Sequence, residues 1–404
     1  MKILSINSCN FGSTGNIMLQ INALLSEQGH ITMNAYPVRR QNASRRVENK
    51  ILIGSTLSRN IHYRLGQAIG VQGELSIIAT AKFLKKVEEF APDVIHLHNL
   101  HVSYINLPML FNYIKKHNVK VIWTLHDCWS FTGHCPYFTV TKCDKWKNGC
   151  YSCPQYKEYP HSFVDHSRRM YAMKKRIFNG VKELTIVTPS QWLANLARES
   201  FLGDYPVKVI NNGIDLNVFK PTPSNFRSKY SLENKKIVLG VAHEWCYRKG
   251  FDVFNKLAED LGNEYRIVLV GITDKNKKDL NDNIIPISRT SSASELAEVY
   301  SAADLFVNPT REDNFPTVNM EALACGTPVL TYNTGGSPEM IDETCGRVCE
   351  YDNYDVLLAN IKDIIVTAPF TEQACVKKAS EYDKNKKFAE YASLYNELFS
   401  KTTI

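Results

Sequence analysis

Short apolar runs rich in valine and isoleucine alternate along this chain with longer stretches whose apolar residues recur at helical spacing. This alternation constrains the fold most, because strands separated by helices pair in parallel and carry helices on both faces of the sheet. The runs are almost continuously apolar, which is typical of strands covered on both faces. The predicted strands are Lys2–Ile6, Val94–His98, Val119–Leu125, Leu184–Val187, Val207–Ile210, Ile237–Gly240, Ile267–Val270, Leu305–Val307 and Pro328–Tyr332. The predicted helices include Ile17–Gln28, Ser76–Phe90, Leu107–His117, Ser190–Ser200, Phe251–Leu261 and Ser294–Ala302.

The pattern restarts once, after a break rich in turn-forming residues. The break contains Asn211-Asn212-Gly213 and two prolines within Lys220–Ser224, and a new strand begins at Ile237. We therefore expect an α/β protein with two Rossmann-like, doubly wound parallel-sheet domains, residues 1–210 and 211–385. Ligands of such sheets bind at the carboxyl ends of the strands, so a central cleft faced by both domains is the expected site.

Composition and charge exclude several classes of protein. The longest apolar run falls well short of the roughly 18–20 residues that span a bilayer. The net charge of +7 over 404 residues is a mild excess without a dense basic stripe. We therefore expect an anionic ligand or transient contact with an anionic membrane surface, and no nucleic acid partner. The N-terminus has the pattern of a first strand and lacks the apolar core of a signal peptide, so we expect a cytoplasmic protein. In that compartment the eleven cysteines are expected to be thiols or metal ligands.

Residues 127–165 do not fit the alternation and are rich in cysteine, proline and aromatic residues. We interpret them as an irregular insertion after a strand. Four of its cysteines follow the spacing C-x7-C-x6-C-x2-C: Cys135, Cys143, Cys150 and Cys153. Two interpretations stay open, a structural zinc site and reduced thiols in an ordered loop.

Two acidic residues near position 315 indicate a binding site. A strand ends near Asn308, and a helix begins around Pro316 or Thr317. Asp313 lies in the loop between them, and Glu321 lies on the second turn of the helix. Both can face a ligand held at the helix N-terminus, where free N–H groups favour phosphate. The alternative is a helix-capping aspartate and a solvated glutamate.

Three further motifs follow strands. Gly12-Ser-Thr-Gly-Asn16 can bring the backbone close to a ligand or form a tight turn. His126 ends a strand next to Asp127, which can orient its imidazole. Lys249, in Arg248-Lys-Gly250, can neutralise a diphosphate without a metal or be a solvated lysine. His96, His98 and His101 crowd another strand end, and we interpret them as lining the cleft rather than binding metal.

These motifs resemble, in their order, those of the retaining GT-B glycosyltransferases of family four. The matching segments are Gly12–Asn16, Thr124-Leu-His-Asp127, Asn212-Gly-Ile-Asp215, Arg248–Gly250, the Asp313/Glu321 pair and Gly335-Gly-Ser-Pro-Glu339. The chain most resembles bacterial members that build O-antigens, capsules and colanic-acid-type exopolysaccharides. The resemblance implies metal-independent transfer of a hexose, with retention, from a nucleotide diphosphate sugar.

The resemblance also implies roles for individual residues. The implied catalytic residues are His126, Asp313 and Lys249. The implied donor-binding residues are Gly12, Gly15, Arg248, Lys249, Asn314, Phe315, Thr317, Val318 and Glu321. The chain departs from the family pattern at Asp313, where the family has glutamate, and at Glu244, where it usually has arginine.

The implied partners are a nucleotide sugar and a lipid-linked glycan acceptor, with no required cofactor. Peripheral contact with the cytoplasmic face of the inner membrane would use basic surface such as Arg168, Arg169 and Lys174–Arg176. The helix within 386–404 carries an apolar stripe at helical spacing, which by the resemblance packs on the first domain. An interfacial membrane helix is the rival interpretation. The rival functions are a non-hydrolysing epimerase of the same fold and a non-catalytic sugar-nucleotide-binding module.

Overall fold

A computed structural model of the chain describes residues 1–43 and 45–400, which divide into two compact units. The first unit contains Met1–Ile210 and the chain from Phe388 onward, and the second contains Asn211–Lys387. Each unit is built on one parallel sheet, which confirms the α/β class predicted from the alternation of strands and helices.

The first unit holds seven strands: β1 (Lys2–Ile6), β2 (Ile31–Pro37), β3 (Lys50–Ile53), β4 (Val94–Leu97), β5 (Lys120–Thr124), β6 (Leu184–Thr188) and β7 (Val207–Val209). They pair in parallel in the order β3-β2-β1-β4-β5-β6-β7. Its helices up to residue 210 are α1 (Gly12–Glu27), α2 (Arg40–Ala43), α3 (Thr56–Ile69), α4 (Ile77–Phe90), α5 (Leu107–His117), α6 (Ser167–Phe178) and α7 (Gln191–Glu199).

The second unit holds six strands: β8 (Lys236–Val241), β9 (Tyr265–Val270), β10 (Ile284–Ile287), β11 (Leu305–Asn308), β12 (Val329–Tyr332) and β13 (Gly346–Cys349). They pair in parallel in the order β10-β9-β8-β11-β12-β13. The remaining helices are α8 (Phe226–Lys229), α9 (Phe251–Asp260), α10 (Asp274–Lys277), α11 (Ala293–Ala302), α12 (Thr317–Ala324), α13 (Tyr354–Thr367), α14 (Glu372–Ala379) and α15 (Lys384–Ser400).

Both sheets have the same kind of topological switch point. In each, the chain starts at a central strand, builds outward on one side and then crosses to the other, so that β1 neighbours β4 and β8 neighbours β11. The crevice outside the carboxyl ends of two such strands is where parallel sheets bind ligands. The candidate loops are therefore residues 7–11 and 98–106 in the first unit, and 242–250 and 309–316 in the second.

Helix α15 is far in sequence from the sheet it covers. Phe388, Tyr391 and Tyr395 are buried with Ile17 and Ile21 of α1 in the cluster on one face of the first sheet. Its apolar stripe is therefore buried against protein, which secures the end of the chain to the first unit.

Four strands were missed by the sequence analysis: β2, β3, β10 and β13. The last three are sheet edges, where one side has no neighbouring strand and the sequence need not be continuously apolar. The edge strand β10 contains Pro286, which has no N–H to donate. Strand β2 contains Asn34, whose side chain accepts a buried hydrogen bond from Asn22 at 2.7 Å. This bond allows a polar side chain within a buried strand, which interrupts the apolar pattern.

Among the described residues, no helix is both long enough and apolar enough to cross a membrane.

Candidate active site

In the second unit, the loops that follow β8 and β11 are held together by side-chain and backbone contacts. Lys249 forms an ion pair with Asp313, although the two residues are 64 positions apart. The guanidinium of Arg248 donates a hydrogen bond to the carbonyl of Glu312 at 2.7 Å. The N–H of Arg311 donates to the carbonyl of Arg248 at 2.8 Å. The fold thus brings together two of the three predicted catalytic residues.

The Lys249–Asp313 pair is partly exposed to solvent. The two side chains keep 20% and 18% of their surface exposed. Asp313 balances the charge of Lys249 in the free protein, so an arriving diphosphate would compete with this carboxylate for the ammonium group. A carboxylate released in this way can accept hydrogen bonds from sugar hydroxyls.

Glycine at position 335 is required by the loop that carries Asp313. Gly335 has a φ of +55°, and a Cβ built there would lie 1.7 Å from the carbonyl oxygen of Asp313. The next residue, Gly336, donates its N–H to the carbonyl of Asn314 at 2.9 Å. The Gly-Gly motif therefore works by close backbone approach, which any side chain at 335 would block.

Arg311 positions the same loop and was missed by the sequence analysis. Its guanidinium is buried, with two hydrogen bonds to Asp252 at 2.8 Å each and one to Asp352 at 2.8 Å. Its partners lie 59 and 41 residues away, so no local pattern could have indicated this role.

Helix α12 supplies the second acidic residue. Glu321 accepts a hydrogen bond from the hydroxyl of Tyr300 at 3.1 Å. Burial raises the pKa of Glu321, while hydrogen bonds from Tyr300 and Thr317 oppose that rise. Tyr300 is a further functional candidate that the motif search missed, because it lies on α11, 21 residues before Glu321.

The first turn of α12 has free backbone donors. Pro316 precedes the helix without a side-chain cap, and the turn contains no acidic residue. Thr317 and Val318 are half-buried, whereas Asn314 and Phe315 are buried. The ring of Phe315 packs edge-on against Tyr382 at 5.8 Å, so only its backbone is placed to meet a ligand.

In the first unit, the two predicted donor-binding glycines differ in their surroundings. Gly12 starts α1 with a φ of +67° and open space where a Cβ would be. Gly15 is buried, and a Cβ there would lie 2.6 Å from a backbone carbon of Asn10. Gly15 thus allows close packing of α1 on the preceding loop, and Gly12 leaves the start of α1 accessible.

His126 belongs to a row of histidines at the carboxyl ends of β4 and β5. Its Nε2 lies 3.0 Å from Nδ1 of His98, and the two rings stack with centroids 5.3 Å apart. Burial lowers the pKa of His126 to about 4 and that of His98 well below its ordinary value. Both imidazoles are therefore neutral near pH 7, and such a ring can donate a hydrogen bond to a sugar hydroxyl without carrying charge.

The expectation that His96 lines the cleft was wrong. Its side chain is fully buried and hydrogen-bonds to Thr124 and to Tyr395 of α15, both at 2.8 Å. The reason is strand alternation, since His96 lies within β4 and its side chain points into the core. Across the part of the chain that the structure describes, no group of three or more His, Cys, Asp or Glu side chains is placed to hold a metal ion.

Asp127 contacts a histidine that the sequence analysis did not pair with it. Its carboxylate lies 3.3 Å from Nε2 of His101, and the hydroxyl of Tyr159 lies 3.2 Å from Nδ1 of the same ring. Burial would raise the pKa of Asp127, but His101 and the N–H of Trp129 hold it below its ordinary value. An Asp127–His101–Tyr159 chain therefore links the strand end to the insertion.

The four insertion cysteines line one small cavity beneath Phe138 and Trp146. All four are free thiols, and Cys150 accepts a hydrogen bond from the N–H of Gly133 at 3.1 Å. The rings of Phe138 and Trp146 stack at 5.2 Å within the core of the first unit. The insertion therefore has an aromatic core, which the sequence analysis did not anticipate.

Comparisons with known proteins bear on the family and the fold of the chain. The model "Glycosyltransferase Family 4" matches residues 59–218, and the model "Glycosyl transferases group 1" matches residues 224–385. WcaC of Escherichia coli K12, a glycosyl transferase assigned to colanic acid biosynthesis, is 26% identical over 76% of this chain and 77% of its own.

Solved structures share the fold at low sequence identity. Sucrose-phosphate synthase from Thermosynechococcus elongatus superposes with a TM-score of 0.75 and 17% identity, covering 99% of both chains. Anabaena HepE, in complex with UDP and glucose, superposes with a TM-score of 0.66 and 15% identity, covering 98% of this chain and 100% of its own.

The two parallel-sheet units and these matches define a GT-B glycosyltransferase. The chain belongs to the family-four glycosyltransferases: the Family 4 model and the group 1 model together match residues 59–218 and 224–385.

Proposed function

We propose that this enzyme transfers a hexose from a nucleotide diphosphate sugar to a hydroxyl of a lipid-linked glycan acceptor, with retention at the anomeric carbon and without a metal. The observation that carries the proposal is the partly exposed Lys249–Asp313 pair, whose aspartate lies in the loop that leads into helix α12, a helix without a side-chain cap at its N-terminus. A cation and free amides beside a displaceable carboxylate suit a diphosphate attached to a sugar.

The donor is held by residues of the second unit. Lys249, Arg248 and the amides of α12 neutralise the diphosphate, which makes it a better leaving group. Glu321, oriented by Tyr300, accepts hydrogen bonds from the ribose hydroxyls. Asp313 accepts hydrogen bonds from the sugar once the diphosphate has taken its place on Lys249.

The reaction proceeds on one face of the sugar. The acceptor oxygen bonds to the anomeric carbon as the bond from that carbon to the diphosphate oxygen breaks. The departing phosphate oxygen takes the proton of the acceptor hydroxyl, so no separate strong base is required. His126, neutral because it is buried, donates a hydrogen bond to the transferring sugar.

The biological context comes from the relatives. WcaC is assigned to colanic acid biosynthesis, and HepE was solved with UDP and glucose. We therefore place this enzyme in the assembly of a bacterial surface polysaccharide, with a uridine nucleotide as the first donor to test.

Membrane contact, in this proposal, uses α3 rather than the basic stretch of α6. Lys174 of that stretch is fully buried and cannot reach a membrane. In contrast, Leu57, Ile61 and Leu65 form a ridge along α3, one turn apart, and are 71%, 46% and 47% exposed. Residues 38–86 around this α3 ridge contain ten Lys or Arg and two acidic residues. An apolar ridge in basic surroundings fits an anionic bilayer.

Vesicle cosedimentation tests this surface. Vesicles of phosphatidylglycerol should bind the protein, and binding should weaken with salt and with Leu57→Ser/Ile61→Ser. Val366→Ser changes an apolar residue that is 78% exposed on α13 and should leave binding unchanged. Equal binding of all three proteins would remove the α3 ridge from the proposal.

Donor binding is tested at Lys249. Lys249→Ala should weaken binding of a nucleoside diphosphate at least about tenfold and leave binding of the free nucleoside unchanged, because the ammonium faces phosphate. Calorimetric titration with UDP and uridine measures both affinities. Lys275→Ala, an exposed lysine on α10, is the matched control. Equal weakening of both ligands would contradict the assignment.

A further inference from the structure

A second cationic site lies in the first unit, whereas Arg248, Lys249 and Glu321 belong to the second unit. A cavity of about 430 Å³ is lined by Arg39, Arg59 and Arg64 together with Ser8, Tyr63 and Tyr159. Ser8 follows β1, and Arg39 follows β2. The cavity therefore opens at the carboxyl ends of β1 and β2, the edge of a doubly wound sheet at which ligands bind.

Among the residues that the structure describes, the three arginines have no anionic partner. No carboxylate lines the cavity, and none of the three forms an ion pair with any residue that the structure describes. The Nε of Arg59 is buried and has no hydrogen-bond partner among those residues. Burial and repulsion from Arg39 both lower the pKa of Arg59. The two guanidinium groups are therefore close enough for their positive charges to repel each other.

Clustered guanidinium groups of this kind are complementary to a phosphoryl group. Each presents a planar fork of donors that matches phosphate oxygens, and a doubly charged anion between Arg39 and Arg59 would turn their repulsion into attraction. The hydroxyls of Ser8, Tyr63 and Tyr159 add donors that reach oxygen without adding charge.

The cavity is linked to the proposed reaction centre within the same unit. The hydroxyl of Tyr159 is hydrogen-bonded to His101, which contacts Asp127, the residue after His126. On α3, Arg59 and Tyr63 face the cavity, while Leu57 and Ile61 belong to the exposed α3 ridge. A group bound here therefore lies between the proposed membrane surface and the proposed catalytic histidine.

We infer that the Arg39/Arg59/Arg64 cavity binds a phosphoryl group of the glycosyl acceptor, as a phosphate or diphosphate ester. This inference rests on the proposed function, because it assigns to the acceptor an anion site separate from that of the donor. The ester can belong to a lipid carrier or to a soluble sugar phosphate, which share this chemistry.

Calorimetric titration with inorganic pyrophosphate tests the site. The titration uses full-length Lys249→Ala protein, so that the donor site contributes little. Adding Arg39→Gln/Arg59→Gln should weaken pyrophosphate binding at least about tenfold. Arg168→Gln/Arg176→Gln on α6 removes the same charge from exposed positions and should have little effect. Equal affinities of the two double variants would overturn the inference.

Two further measurements keep the result interpretable. The Tm of Arg39→Gln/Arg59→Gln should not fall, because the substitutions remove a repulsion between two positive charges and break no ion pair. A large fall would mean a structural role and would overturn the inference.

UDP binding should be unchanged by the same substitutions. Absence of binding of UDP, GDP and dTDP alike in the wild-type protein would refute the proposed function while leaving the pyrophosphate comparison intact.

Farnesyl diphosphate distinguishes the two sources of the phosphoryl group. Binding at least about tenfold tighter than that of pyrophosphate, and lost in the Arg39/Arg59 variant, identifies a lipid-linked acceptor. Equal binding of the two probes, lost in the same variant, identifies a soluble phosphate ester. Binding of farnesyl diphosphate that survives in the variant contradicts the site.

Discussion

At the scale of single residues, the contact between Tyr300 and Glu321 determines how nucleotide binding should depend on pH. Burial raises the pKa of Glu321, and the Tyr300 hydroxyl lowers it in part. The ionised carboxylate is the form that accepts ribose hydroxyls, so affinity should fall as the pH drops through this pKa. Tyr300→Phe removes the opposing hydrogen bond, and the loss of affinity should then begin at a higher pH.

Nucleotide titrations across about pH 8 to pH 5 measure this shift. Tyr230→Phe, on a half-buried tyrosine of the same unit, is the control. If Tyr300→Phe and wild type lose affinity at the same pH, Glu321 does not contact the nucleotide in its ionised form.

At the scale of elements, a buried lysine joins α6 to the insertion. Lys174 donates hydrogen bonds to the carbonyls of Trp129 and Thr132 at 2.6 and 3.1 Å, and burial lowers its pKa to about 7. Between that value and its ordinary 10.5, the unfolded chain holds a proton that the folded chain lacks. Stability should therefore rise with pH across this window, by about 2 kcal/mol from pH 7 to pH 9.

Lys174→Met should abolish this pH-dependent gain. Urea unfolding at the two pH values measures it, and Lys175→Met, at the exposed neighbouring position, should retain it. A gain of the same size in Lys174→Met would show that the lysine is charged in the folded protein.

Metal analysis distinguishes the two interpretations of the four insertion cysteines. A structural zinc predicts about one metal ion per chain, lost in Cys150→Ser, with unfolding of the insertion by chelators. If the cysteines are instead reduced thiols packed against Phe138 and Trp146, the purified protein should contain no metal, and chelators should leave its Tm unchanged. Elemental analysis of protein purified without chelators separates the two outcomes.

At the scale of the whole molecule, α15 connects the end of the chain to the centre of the first sheet. Tyr395 is fully buried, and its hydroxyl bonds to His96 of β4, 299 residues away. Tyr395→Ala should cost about 3–5 kcal/mol of stability, and Tyr395→Phe about 1–3 kcal/mol. Urea unfolding checks both values, with Asn396→Ala at an exposed position as the control.

The membrane-helix interpretation of α15 makes the opposite prediction. It requires Tyr395→Ala to leave stability unchanged and to weaken vesicle binding. Packing in the first unit requires the reverse, since the ring lies among Ile3, Ile21 and Ile122.

What the sequence by itself determined is the part that depends on local periodicity. Buried parallel strands such as β1, β5 and β8 are continuously apolar, and the helices between them repeat at 3.6 residues, so the fold class and the two sheets followed from reading along the chain. The family followed from the resemblance of the ordered motifs. The motif spacing also selected Lys249, Asp313 and Glu321, and the first two lie in contact.

Only the tertiary structure decided which distant residues meet. The pairing of Asp127 with His101, the burial of Lys174 and of His96, and the support of Glu321 by Tyr300 all join different elements. Edge strands such as β10 and β13 lack the apolar signal because one side has no neighbour. The arginine cavity joins Arg39, which follows β2, and Arg59 of α3, and neither has an anionic partner within residues 1–43 and 45–400. Their proximity depends on the packing of these elements and cannot be read from the sequence. Local sequence encodes the period of each element, whereas contacts, burial and charge balance arise from packing those elements together.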